Sequence, residues 1–167
     1  VSHVVPKRKV ASRLRLTTGE VIEGSVFLDF IDPIHRGEQT LLDKFNGESP
    51  WLPLLAADGV LIVNRDRITL VEPGAGVPAA MVRRENSPVF RRERVTLRTG
   101  DRTLAGQIAM DLPDEFSRVS DFLNFPDQFF AVETDGGPVL VSKRHAVALT
   151  PHERPPAPTR PGDEDRD

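Results

Sequence analysis

Apolar and polar residues alternate along this chain in short runs, the mark of strands with one buried face. Leu14 and Leu16 share one face of the first run, Gly19 turns the chain, and Ile22, Val26 and Leu28 bring it back with Gly24 among them. Further on the pattern recurs: Val95 and Leu97, a turn at Gly100, then Leu104, Ile108 and Met110 around Gly106. A glycine inside a strand gives up packing area and marks a bend or a close backbone approach. At the same place in both runs, it predicts a second strand bent sharply enough to serve both sides of a small barrel.

After each hairpin the period changes. Phe116, Val119 and Leu123 fall at i, i+3 and i+7 behind Asp114, which predicts a short helix with its N-cap. Leu41, Leu42 and Phe45 form the matching turn, stopped by Asn46-Gly47. Three short strands then follow in each half, at 51–56, 60–64 and 67–71 and at 129–134, 138–142 and 145–149, with hairpin signals at Asp58-Gly59 and Gly136-Gly137. A constant offset of 78 residues pairs Asp43 with Asp121, Asn46 with Asn124, Trp51-Leu52 with Phe129-Phe130, Val63-Asn64-Arg65 with Val141-Ser142-Lys143, and Pro73 with Pro151. Two unrelated amphipathic stretches would share alternation, but not glycines, aspartates, asparagines and prolines in one register. The chain reads as an internal duplication.

Five short antiparallel strands close most economically as a small, partly open barrel. The expected fold is therefore all-β with short helices: two tandem small, partly open five-stranded barrels, at residues 10–73 and 92–151. A basic N-terminal arm (1–9), a Pro/Gly/Arg linker (74–91) and a disordered Pro-rich acidic tail (152–167) complete the expectation. The fifteen prolines support these boundaries, because they cluster at 73–88 and 151–161. Composition narrows the chemistry. With no cysteine in 167 residues there is no disulfide, thiolate nucleophile or cysteine-held metal. A formal net charge of −3 gives no global pull toward nucleic acid or an anionic membrane. No apolar run nears the ~20 residues that span a bilayer, and no charged-then-apolar leader opens the chain, so membrane insertion is not expected and the cytoplasm is the expected compartment.

The residue order resembles the Sm-like family. The match runs through Leu14-Arg15-Leu16-Thr17-Thr18-Gly19, Gly24, Asp29 and Asn46 to the strands flanking Asn64-Arg65-Asp66; the second half supplies Gly100, Gly106, Asp111, Asn124 and Ser142-Lys143-Arg144-His145. Together these cover most of 12–72 and 94–149. The Arg118–Asn124 run is also similar to a motif in small bacterial domains of this layout. The Sm-like resemblance implies that Asn46, Arg65 and Asp66, with Asn124, Lys143 and Arg144, are candidate binding residues, as the family's asparagine and corner residues hold an RNA base. The family's corner glycine is missing from both halves, and the asparagine lies farther along because a helix is inserted.

Other candidates are few. Asp29 with Asp32, and Asp111 with Asp114, form acidic pairs at the end of each second strand, and the ordinary work of aspartate there is turn and helix capping. His3, His35, His145 and His152 show no metal-ligand spacing, and no nucleophile elbow or phosphate loop is present. No catalytic residue, metal or cofactor is expected. Arg65-Asp66 and Lys143-Arg144 read as solvated turns, Arg83-Arg84 as a solvated linker end, and Trp51, like Phe129, as core. The last strands offer Leu61-Ile62-Val63 and Val139-Leu140-Val141 as interface candidates, since a small barrel's edge strands can pair with a neighbour. The expectation is a non-catalytic interaction and assembly module whose partner is protein, either itself or a larger bacterial complex. An RNA- or nucleotide-binding role is the alternative.

Overall fold

The structure is a computed structural model that describes residues 7–31, 37–85, 91–100, 102–110 and 119–152. The first half contains β1 (Lys7–Leu16), β2 (Val21–Asp29), α1 (Leu41–Phe45), β3 (Trp51–Ala56), β4 (Gly59–Asn64), a 3-10 turn (Arg65–Arg67) and β5 (Ile68–Pro73). After α2 (Ala79–Val82) the second half contains β6 (Arg91–Thr99), β7 (Arg102–Met110), α3 (Val119–Leu123), β8 (Phe129–Thr134), β9 (Gly137–Ser142) and β10 (Ala146–Pro151). The all-β expectation holds, and the expected strands after each helix fall within two residues of those observed.

All ten strands lie in one antiparallel sheet, in the order β10-β6-β7-β8-β9-β5-β1-β2-β3-β4. Each half thus lays out its strands as fifth-first-second-third-fourth. The two sets of five, expected as separate units, are joined edge to edge where β9 pairs with β5 through Leu70↔Val141 and Val71↔Leu140. Among the described residues β4 and β10 are the outer edges.

Local causes repeat between the halves. A side chain on Gly24 would meet the Leu55 carbonyl oxygen at 2.7 Å and Leu54 beside it, and one on Gly106 would run into the carbonyl of Glu133 and the side chain of Val132. Both glycines let the third strand cross closely over the second. Gly19 and Gly100, at φ 85° and 61°, make the first turns in the left-handed region that glycine enters without strain. Thr40 caps α1 in a reciprocal box with Asp43, the hydroxyl accepting from the Asp43 N–H while the carboxylate accepts from the Thr40 N–H.

Two boundaries differ from expectation. Lys7, Arg8 and Lys9 belong to β1 rather than to a free arm: Lys7 pairs with Asp29 across the ladder, and Arg8 meets Glu38 at 3.1 Å and donates to the Gln39 carbonyl. Nor are residues 74–85 an unstructured linker, since α2 buries Val82 completely in the first core. The tail from 153, the acidic partners Asp32, Asp111 and Asp114, and His3 and His35 lie outside the described residues.

The core has two clusters, and each borrows from the other half. The first gathers Val10, Leu14, Val26, Leu28, Leu41, Phe45, Leu52, Leu54 and Ile68 and takes in Phe129 and Leu140 from β8 and β9. The second gathers Val95, Leu97, Ile108, Met110, Phe130, Val132 and Val141 and takes in Leu70 from β5. Among the described residues no helix is long and apolar enough to cross a membrane.

Candidate interaction edges and the joint between halves

The joint between β5 and β9 shows what a strand edge of this fold can hold. Beside the ladder, the Asn46 side chain acts as a short piece of extra backbone: its Nδ2 donates to the Phe129 carbonyl at 3.1 Å, and its Oδ1 accepts from the Phe129 N–H at 2.8 Å. Both polar groups at the start of β8 are thereby satisfied. Next to it the rings of Phe45 and Phe129 pack with centroids 5.4 Å apart. Arg83, just past α2, is ion-paired to Glu133 on β8, and Arg84 reaches Asp43 at 2.8 Å, so the connection straps α1 and β8 together. The hydrogen bond that Arg83 donates to Glu133 raises the pKa of Arg83 above its ordinary value and keeps the pair charged.

The two corners meet over this joint. Arg65 is buried, 6% exposed, and donates to the Gly47 carbonyl. Asp66 receives Arg144 at 3.5 Å on its carboxylate, and His145 on its backbone carbonyl. Lys143 donates to the carbonyls of Phe122 and Phe125 at 3.3 and 3.1 Å, its ammonium 5.3 Å from the Phe122 ring centre. Burial lowers its pKa, with Asp127 opposing the shift. Around these residues is a cleft of about 350 Å³, walled also by Leu123, Gln128, Phe129 and Ser142.

Several expectations change here. Asn46 does end α1, but at φ −91° rather than in the left-handed region; the side chain is held by the need of Phe129, not by a helix stop. Arg65 and Lys143 are not solvated turn residues, because Arg65 donates to the Gly47 carbonyl and Lys143 to those of Phe122 and Phe125. Arg83 and Arg84 are not a solvated linker end. Trp51 is not core: it is 56% exposed, whereas Phe129, its counterpart, is 2% exposed. Of the binding candidates, Arg65, Asp66, Lys143 and Arg144 line this cleft together, Asn46 is engaged at the joint, and Asn124 is exposed with no side-chain partner among the described residues.

The interface candidates divide in the same way. Leu140 and Val141 are fully buried and Val139 half-buried, because β9 already has its neighbour. On β4, Val63 is buried, whereas Leu61 and Ile62 are exposed, as are Val60 and Trp51 close by. Val147 on β10 is exposed at the opposite edge, while Phe125, after α3, is exposed beside the cleft over the joint. The sequence reading missed Glu133, and gave Phe45 and Arg83 no part in a joint between the halves. Their signal was the asymmetry of the repeat: Glu133 stands where the first half has Leu55, and a charge found in only one half marks a contact made in only one half. Among the described residues no cluster of histidine and carboxylates has the makings of a metal site. No protein-family model, curated protein or solved structure matches this chain.

Proposed function

We propose that this protein is a non-catalytic interaction and assembly module, made of two like small barrels of Sm-like type, that binds protein partners by adding strands to its free edges. The observation that carries the reading is β4, a six-residue outer strand of sequence Gly-Val-Leu-Ile-Val-Asn with Val60, Leu61 and Ile62 exposed and Trp51 beside it. Soluble proteins blunt such edges with lysine, proline, bulges or a covering loop, and β4 has neither lysine nor proline. An unpaired ladder next to apolar side chains is the recognition surface of strand addition, in which backbone hydrogen bonds supply affinity and alternate side chains supply specificity. The barrel reading rests on the first core. Side chains from β1, β2, β3, β4 and β5 meet in one cluster, which a flat five-stranded sheet would spread along its length.

The RNA alternative has one feature in its favour, the gathering of Arg65, Lys143 and Arg144 with two phenylalanines at one cleft. Against it, Arg65 and Lys143 donate to carbonyls, Arg144 faces Asp66, and Asp127 adds negative charge to the same wall. Phosphate binding needs cations that are free to exchange their counterions, so the edge reading takes precedence.

The test is a photo-crosslinking amino acid at position 61 in the full chain, expressed in its native host, with the same residue at exposed position 20 as control. Protein adducts at 61 and none at 20 are expected. RNA adducts at 61, or no adduct at all, would count against the reading.

A further inference from the structure

We infer that the outer face of β6 is a docking site for an acidic segment, and that its resident occupant is this chain's own Asp163-Glu164-Asp165-Arg166-Asp167 run. The site uses a sheet face and not an edge, so it is independent of the strand-addition reading.

β6 carries three arginines on that face. Arg92, Arg94 and Arg98 are exposed, on the side opposite buried Val95 and Leu97. None of the three guanidiniums has a hydrogen-bond or ion-pair partner among the described residues. Their neighbours across the ladders are uncharged: Ala109, Gln107 and Thr103 on β7, and Ala148 on β10. Glu133, the next residue across from Gln107, is taken by Arg83.

The first half shows what completes such a face. One rung past Ser12 and Gly24, Arg13 lies between Glu23 and Glu72 and meets them at 2.8 and 3.9 Å, while Arg15 meets Glu72 at 2.9 Å. One rung past Val95 and Gly106, Thr96 lies between Ala105 and Thr150. The two carboxylates have become alanine and threonine, and Arg98, in the place of Arg15, has lost its acid. A guanidinium pairs its N–H donors with the two oxygens of a carboxylate; the first half supplies those oxygens itself, and the second half leaves them to another segment. That template favours carboxylates over a phosphate polymer. A net charge of −3 opposes the polymer at long range, and the rungs around the arginines hold no aromatic ring on which a base could stack.

The occupant is close by. β10 ends beside the stripe, where His152 donates its N–H to the Arg94 carbonyl and its ring meets the Thr96 hydroxyl at 2.7 Å. Asp163 lies eleven residues on from His152. That length reaches roughly 33–40 Å, against the ~13 Å from Arg94 to Arg98, enough to leave the strand and turn back. In an extended chain Asp163, Asp165 and Asp167 fall on one side and Arg166 on the other, and their two-residue step is that of Arg92 and Arg94. A single exposed ion pair contributes little. Several on one tethered run act together, because the tether removes most of the cost of bringing the partners together. The run is thereby a built-in competitor for any other acidic partner.

The chain has no cysteine, so a nitroxide on Gly162→Cys in the full-length protein reads the contact by NMR. At ~20 mM salt the amide signals of Thr96, Ala105 and Thr150 should fall to about half or less of their intensity with the label reduced, and recover at ~500 mM. Signals of Val60 and Ile62, on the far outer strand, should not change. Arg94→Glu with Arg98→Glu should abolish the broadening at an unchanged melting curve, and adding Asp163→Lys and Asp165→Lys should restore it. Broadening that is absent at low salt, or that survives the arginine changes, overturns the inference. A ten-residue oligoglutamate peptide gives the second reading. Protein carrying Asp163→Asn, Glu164→Gln, Asp165→Asn and Asp167→Asn should bind it roughly threefold or more tightly than wild type, and Arg94→Glu with Arg98→Glu should cancel the gain. Equal affinity of wild type and the neutralised run would show that the run does not hold the face, and the inference would fall.

Discussion

Asn46 and Asn124 occupy the same place in the two halves but have different surroundings, and the difference gives a residue-scale test. Asn46→Ala strands an N–H and a carbonyl of Phe129 beside a buried joint, where each unsatisfied group costs about 1–3 kcal/mol. Asn124→Ala removes an exposed amide with no side-chain partner among the described residues. Urea titration of both variants should show a loss of about 2–4 kcal/mol for the first and under about 0.5 for the second; equal losses would contradict the bracket geometry. Lys143 gives a second test. Its pKa is lowered by burial from the usual 10.5, so the unfolded chain binds its proton more readily than the folded one. Between the lowered value and 10.5, stability contributed by this group therefore rises with pH, and below that window the full cost of burying the charge is present. Lys143→Met, which keeps the stem and drops the charge, should flatten that part of the stability–pH curve. An unaltered slope would mean that the ammonium stays hydrated.

At the scale of elements, period-two alternation located the strands because each has one face on a core, and glycine at the second-strand bend was readable because only a missing side chain admits the Leu55 carbonyl. The joint was not legible in the same way. Which edge a strand offers depends on backbone hydrogen bonds, and these leave no trace in the choice of side chains. Trp51 and Phe129 look alike in sequence and differ only in having a neighbour. The α2 strap was hidden for another reason: Pro78, Gly74 and Gly76 read as linker, while four helical residues are too few to show a period. Its role is testable. Val82 is fully buried against the first core, so Val82→Ala should cost about 1–3 kcal/mol, far more than a substitution in a solvated connection. Arg83→Gln should cost less, since the pair with Glu133 is partly exposed and screened. A Val82→Ala protein with wild-type stability would return residues 79–82 to the status of linker.

For the whole molecule, the question is whether two halves of some sixty residues fold as two bodies or one. Small units bury too little of their surface to be secure alone, and here neither core is complete alone: the first contains Phe129 and Leu140, the second Leu70. Opening the joint would expose all three and strand the Asn46 bracket. A state with one half folded and the other unfolded therefore loses the contacts that make the folded half viable, which predicts a single cooperative transition. Leu140→Ala probes this directly, since it sits on β9 of the second half while its side chain completes the core of the first. Removing it should cost about 2–5 kcal/mol and lower one common melting point, with calorimetric and van't Hoff enthalpies still equal. The measurement is made at one fixed protein concentration, so that mass action does not shift the midpoint between variants. Two resolved transitions, or a Leu140→Ala protein in which only the second half loses stability, would show that the halves are independent domains in contact.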